Sequence, residues 1–222
     1  MLPHAHFSPN ETTAEQLLKA VSGATDDGSH DLSHILRVWQ NVQHIAAKEG
    51  GDQAILTAAT ILHDCVDIPK NSPQRSSASL LSARKAAKIL RGLVWDETDI
   101  GRVAHAIEAH SFSANVKPLT LEAKILQDAD RLDATGHIGI ARCFYVSGRM
   151  GCAIYDPADP TACNRPLDDH EFAIDHFFTK LLRLSGSFQT ETGRKLGAGR
   201  HKTMKGFVDG LLAEISSNRV SD

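Results

Sequence analysis

Residues 53–67 read Gln-Ala-Ile-Leu-Thr-Ala-Ala-Thr-Ile-Leu-His-Asp-Cys-Val-Asp. Ala54, Ile55, Ala58, Ala59, Ile61 and Leu62 put apolar side chains nearly all round a helix over 53–63, the pattern of a helix enclosed by others. The run ends in His63-Asp64. A buried imidazole and a buried carboxylate each need a partner, because taking either out of water unpaired is unfavourable. Neighbouring residues on a regular helix point about 100° apart, so both can reach one object only at a helix end. Cys65 to Ser76, with Pro69 and Pro73, reads as a loop and supplies that end.

The same 3.6-residue periodicity extends outward in both directions. In 31–47, Leu32, Ile35, Leu36, Trp39, Val42 and Ile45 form one stripe. Further helices are expected near 12–23, 77–92, 97–110, 119–130, 134–147, 168–184 and 190–216. Asp31, Asp99 and Asp168 stand near helix starts. Loops are expected at 111–118 and 148–167. No run alternates apolar and polar residues between turn signals, so strand content should be near zero. The fold class is therefore all-α. A single domain over 1–222 is expected, with its core over about 28–216 and a flexible 1–10.

Two further residues complete a candidate metal site between the central helices. His34 lies on the 31–47 helix, and Asp128 ends another apolar helix in Leu-Gln-Asp-Ala-Asp-Arg-Leu-Asp. His34, His63, Asp64 and Asp128 offer two imidazoles and two carboxylates. That set suits one divalent ion, Mn²⁺ first, with Mg²⁺, Co²⁺, Ni²⁺ or Fe²⁺ as alternatives. The absence of thiolates argues against structural zinc. Asp130 is turned about 160° from Asp128 on a helix. It is expected to pair with Arg37 or Arg131 rather than bind metal.

Bulk composition narrows the classes. The 222 residues are 41% hydrophobic and 23% charged, ordinary for a globular chain able to bury a core. A net charge of −3 gives no basic surplus for a nucleic-acid polymer or a membrane surface. Cys65, Cys143, Cys152 and Cys163 form neither a CxxC pair nor a disulfide framework. No signal peptide or apolar span is visible, so a cytoplasmic location is expected. No P-loop or GxGxxG is present, which disfavours Walker-type kinases and Rossmann dehydrogenases.

The ordered segments SHDLSHILRV, ILHDCVD, PKNSPQRSSAS, HSFSA, KILQDADRLDATGHIGIAR, RPLDDH and IDHFFTKLLRL…TETGRKL span nearly the whole chain. Together they resemble the HD-domain metal-dependent phosphohydrolase superfamily, in its bacterial YedJ-like branch. The resemblance implies an all-α HD fold, one divalent metal and hydrolysis of a phosphate ester or anhydride. It also implies a small phosphorylated substrate, with nucleoside triphosphates or similar nucleotides foremost, cut by a pyrophosphohydrolase or phosphatase reaction. The alternative is a non-catalytic, metal-bound nucleotide sensor. The apolar C-terminal helix around Phe207, Leu211 and Leu212 is compatible with a homodimer.

The resemblance also implies roles around the ligands. Asp67 is expected to orient or deprotonate water, or to protonate a leaving oxygen. Lys70 and Arg75 offer a mobile point charge and a two-pronged donor for phosphate. Ser76 is a further phosphate contact or a cap of the next helix. His105 and His110 lie about 140° apart on one helix, which argues against a second metal built from that pair. His110 is expected to act beside the phosphate, and His105 to contact substrate or, alternatively, to be a buried partner of an acid. His30, Asp31 and Arg37 flank His34 and are expected to orient it. His137 has no assigned role.

Overall fold

A computed structural model describes residues 3–21, 32–66, 68 and 75–217, with Arg75 and Ser217 in their backbone only. These residues form α1 (Glu11–Val21), α2 (Leu32–Glu49), α3 (Gln53–Leu62), α4 (Ala78–Gly92), α5 (Glu97–His110), α6 (Leu121–Asp133), α7 (Gly136–Met150), α8 (Asp175–Thr179) and α9 (Glu191–Ser217). Three short 3-10 helices join them. The single β contact among the described residues is an isolated parallel bridge between Ala153 and Phe172. The protein is all-α, as its periodicity requires.

The described residues fall into two compact units. One comprises Met1–Asp130 with Gln189–Gly193, the other Arg131–Phe188 with Arg194–Asp222. In the first, α3 packs against α1, α2 and α5, and α4 pairs with α5. Every residue of α3 from Ile55 to Leu62 is buried. Each large apolar side chain there contributes about 1.5–3 kcal/mol. The Asp52 carboxylate starts the helix by accepting from the backbone N–H of Ala54 and Ile55 at 2.9 and 3.3 Å. Gly51, with φ +109°, makes the turn into it. A Cβ there would also crowd Ile125 and Leu56 at 3.2 and 3.3 Å.

Residues 3–10 are not the free terminus expected. Pro3–Phe7 form a 3-10 helix, and Phe7 is fully buried with its ring 5.0 Å from that of Trp39. The Trp39 indole donates to the His6 carbonyl at 2.7 Å. Burial of one aromatic and satisfaction of one indole N–H anchor the segment.

The second unit is built on Cys143, Phe177, Leu181, Leu184, Met204 and Val208, with the rings of Phe144, Phe177 and Phe207 5.8–6.0 Å apart. The helix expected over 168–184 is reduced to α8 and a 3-10 turn, Leu181–Ser187. Local side chains compete for the backbone there. The Asp168 carboxylate accepts the His170 N–H at 2.9 Å. Buried Asp175 accepts the Asp168 N–H at 2.7 Å and two bonds from Arg165 at 2.6 and 3.1 Å. Such bonds replace a helical ladder. No helix among the described residues is long and apolar enough to cross a membrane.

The α4–α5 turn carries a strained position. Val94 adopts φ 60° and is 90% exposed. Its N–H bonds Arg91, while Trp95 N–H reaches back to the Leu90 carbonyl, the arrangement in which glycine is favoured at residue 94. Val94→Gly should therefore raise stability by about 1 kcal/mol. The melting temperature should rise by about 2–4 °C. A calorimetric Tm at or below wild type would contradict this.

Candidate metal centre

α2 turns one face inward, and His34, Val38, Asn41, Val42 and Ile45 are all buried along it. His34 thus occupies a core position on an otherwise mainly apolar stripe. His63 follows Leu62 with helical dihedrals, φ −61° and ψ −36°, and Asp64 lies in the same final turn. The Cys65 N–H bonds Leu62 at 3.2 Å, which tightens that turn. The helix end lets adjacent side chains face one centre.

The polar atoms converge. His34 Nε2 lies 3.1 Å from His63 Nε2. Asp64 Oδ2 is 3.6 Å from His63 Nε2 and 3.9 Å from His34 Nε2. Asp130 Oδ1 is 3.6 Å from His34 Nε2, and Asp64 Oδ1 is 3.5 Å from His110 Nε2. Two overlapping groups result, His34-His63-Asp130 and His63-Asp64-His110, each with its donor atoms within 4.8 Å of one another.

Backbone carbonyls set the histidine tautomers. His63 Nδ1 is 2.8 Å from the Thr60 carbonyl, and His110 Nδ1 is 2.6 Å from the Ile107 carbonyl. A carbonyl only accepts, so each Nδ1 carries a proton, and in the neutral ring Nε2 turns a lone pair inward. Burial pushes His63 down to about 4 despite the opposing pull of Asp64, so it is neutral at neutral pH. Burial works against charged His110, yet Asp64 and Asp130 outweigh it and raise its pKa. Burial likewise opposes the Asp130 carboxylate, while His110, His34 and His63 hold it below the ordinary range.

The His63 Nε2 lone pair and the Asp64 carboxylate therefore face one another at 3.6 Å, an unfavourable approach that a cation between them would relieve. The donor set of neutral imidazole and carboxylate fits a divalent metal ion. His34, His63, Asp64 and Asp130 can hold it, with His110 beside Asp64.

Asp128 does not join this cluster, contrary to expectation. Its buried carboxylate accepts from Gln189 N–H at 2.8 Å, Thr190 N–H at 2.7 Å and Thr190 Oγ at 2.7 Å. The turn of about 160° separating it from Asp130 allows only one of the two to face His34. Asp130 is that residue, rather than the salt-bridge partner expected. Nearly every residue from Ala123 to Asp133 is buried, so hydrophobic periodicity could not choose between them.

The remaining candidates separate. His105 Nε2 accepts the Leu119 N–H at 2.9 Å and so serves the loop after α5. Ser76 is exposed in the 3-10 turn Arg75–Ser77, and Ser77 occupies the N-cap of α4. Arg131 donates to the Ser187 carbonyl at 2.5 Å, and Asp133 pairs with Arg142 at 2.7 Å. His30, Asp31, Asp67 and Lys70 lie outside the described residues, as does the side chain of Arg75.

The HD domain family model matches residues 31–135. YpgQ of Bacillus subtilis is 36% identical over 208 residues, covering 91% of this chain and 93% of YpgQ. Among solved structures, a Lactobacillus plantarum protein is 32% identical with a TM-score of 0.74, covering 93% of this chain and 98% of its own. An HD-superfamily hydrolase of Bacillus thuringiensis is 30% identical with a TM-score of 0.69, covering 92% and 97%. Crystalline YpgQ in complex with ADP is 33% identical with a TM-score of 0.67, covering 91% and 97%.

Proposed function

The chain belongs to the HD-domain family, and we propose on that footing that it is a metal-dependent phosphohydrolase acting on a phosphate ester or anhydride of a nucleotide. The observation that carries this reading is the pair of overlapping clusters, His34-His63-Asp130 and His63-Asp64-His110, that share the buried His63. The hydrolase similarity and the ADP bound to YpgQ support the substrate class.

His34, His63, Asp64 and Asp130 would hold the ion, Mn²⁺ being the first choice. When bound, a divalent ion supplies Lewis acidity, neutralising phosphoryl charge and making water a stronger acid. His63 contributes a neutral imidazole whose orientation the Thr60 carbonyl fixes. His110, anchored on the Ile107 carbonyl, presents Nε2 beside Asp64, where it can donate to a phosphoryl oxygen in its protonated form. Asp67, three residues past Asp64, is assigned to proton transfer with the attacking water. Lys70 and Arg75 are assigned to phosphate charge, and Ser76 to a weaker contact there.

The test is a panel of nucleoside mono-, di- and triphosphates with metal-reconstituted protein, resolving phosphate from pyrophosphate. Chelation should abolish turnover, and Mn²⁺, Co²⁺ or Ni²⁺ should restore it. Turnover unchanged after verified metal removal would overturn the reading. Nucleotide binding with no product from any panel member would replace it with a sensor.

A further inference from the structure

The turn of α6 that carries Asp130 is held from three directions. Gln127 is 2% exposed, and its Nε2 donates to the Ala109 carbonyl at 2.6 Å. Ala109 belongs to the last turn of α5, whose terminal carbonyls have no N–H of their own helix to pair with. It also immediately precedes His110. Asp128, the next residue on α6, is bonded to Gln189 and Thr190. The Ala129 carbonyl, in the peptide bond that leads into Asp130, accepts from Asn41 Nδ2 at 3.0 Å. Asn41 is buried and lies seven residues, about two turns, after His34, so α2 presents both from one face.

Two buried amides thus reach the backbone beside two site residues. Asn41 ties the His34 helix to the residue before Asp130, and Gln127 ties the Asp130 helix to the residue before His110. A hydrophobic side chain would fill either space without fixing how far one helix slides along the next. An amide donating to one carbonyl does fix it. Functional groups need holding to about 0.5 Å, and loss of a residue that braces a metal's ligands typically costs about 10- to 100-fold in affinity.

From this geometry we infer that Asn41 and Gln127 are positioning residues. They hold the Asp130 carboxylate and the His110 ring in register with His34 and His63. The inference rests on the reading of the cluster as a metal centre.

Gln127→Met and Asn41→Leu keep size and burial while removing the donor. The full-length protein, stripped of metal, is titrated with Co²⁺ and followed by its visible absorption. Each variant should bind Co²⁺ about 10- to 100-fold more weakly than wild type. The visible band should change shape, which reports an altered ligand arrangement. Far-UV circular dichroism should stay helical. Gln127→Asn and Asn41→Ser serve the same comparison where a first variant does not fold. Wild-type affinity with an unchanged band in folded variants overturns the positioning role. Wild type and Asp130→Ala are titrated alongside. If wild type itself takes up no Co²⁺, the metal reading falls and the inference with it. If wild type binds, Asp130→Ala does not, and the amide variants bind normally, only the positioning role falls.

Discussion

Asp64→Ala is expected to lose metal loading and hydrolysis together, with kcat/KM falling by at least about 10³-fold, on the order of 4 kcal/mol of transition-state stabilisation. The size follows from where the two oxygens point. Oδ2 faces His63 and His34 at 3.6 and 3.9 Å, while Oδ1 faces His110 at 3.5 Å. One side chain would therefore serve both the proposed ion and the histidine proposed to stand beside the phosphate. The fold should tolerate the change, since the Asp64 side chain is 26% exposed and lies at the end of α3 rather than within it. Thermal melts make the distinction visible. An ion that binds only the native state adds about 2.7 kcal/mol at a hundredfold excess over Kd. Mn²⁺ should raise the wild-type Tm and leave the variant's unmoved. A variant that keeps stoichiometric metal and near-normal kcat/KM would remove Asp64 from the centre.

The helices were easier to read from sequence than the directions of their side chains. Periodicity places both ends of α2 to α7 within three residues, because each of these segments is long and carries a consistent apolar stripe or surface. It fails over 168–184, where Asp168 and Asp175 divert backbone N–H groups and Arg165 into local bonds that no helical repeat encodes. It also misses the burial of Phe7, which depends on the distant Trp39. At the site, the His63-Asp64 pair was legible because two polar residues interrupt a buried run at its end. Helix geometry puts Asp128 and Asp130 on different sides, and the sequence favoured Asp128 for the metal and Asp130 for a salt bridge. Which side faces His34 depends on how α6 is rotated, and a helix buried nearly all round leaves no stripe from which to read that rotation. Asn41 and Gln127 gave no sign in the sequence of the carbonyls they would meet.

Substituting the two aspartates of α6 one at a time should therefore give opposite phenotypes. Asp130→Ala removes an oxygen 3.6 Å from His34 Nε2 and should weaken metal binding by about 10³-fold or more, with the metal-free Tm close to wild type. Asp128→Ala removes a fully buried carboxylate that satisfies two backbone N–H groups and one hydroxyl. Bonds to a charged acceptor are worth about 1.5–3 kcal/mol each, and the stranded donors add a desolvation penalty. Relief from holding a charge in the interior offsets part of this, leaving a net loss of about 3–5 kcal/mol. That corresponds to a fall in Tm on the order of 10 °C. Gly193 supplies an independent check on the same contact. Its N–H donates to Thr190 Oγ at 2.9 Å, and a Cβ at residue 193 would overlap the Asp128 carboxylate. Gly193→Ala should accordingly reproduce the instability of Asp128→Ala while leaving the four proposed ligands in place. The measurements are Tm without metal and Mn²⁺ affinity by calorimetry for all three variants. Were Asp128→Ala to lose metal at an unchanged Tm while Asp130→Ala kept both, Asp128 would be the ligand and the assignment of Asp130 would be wrong.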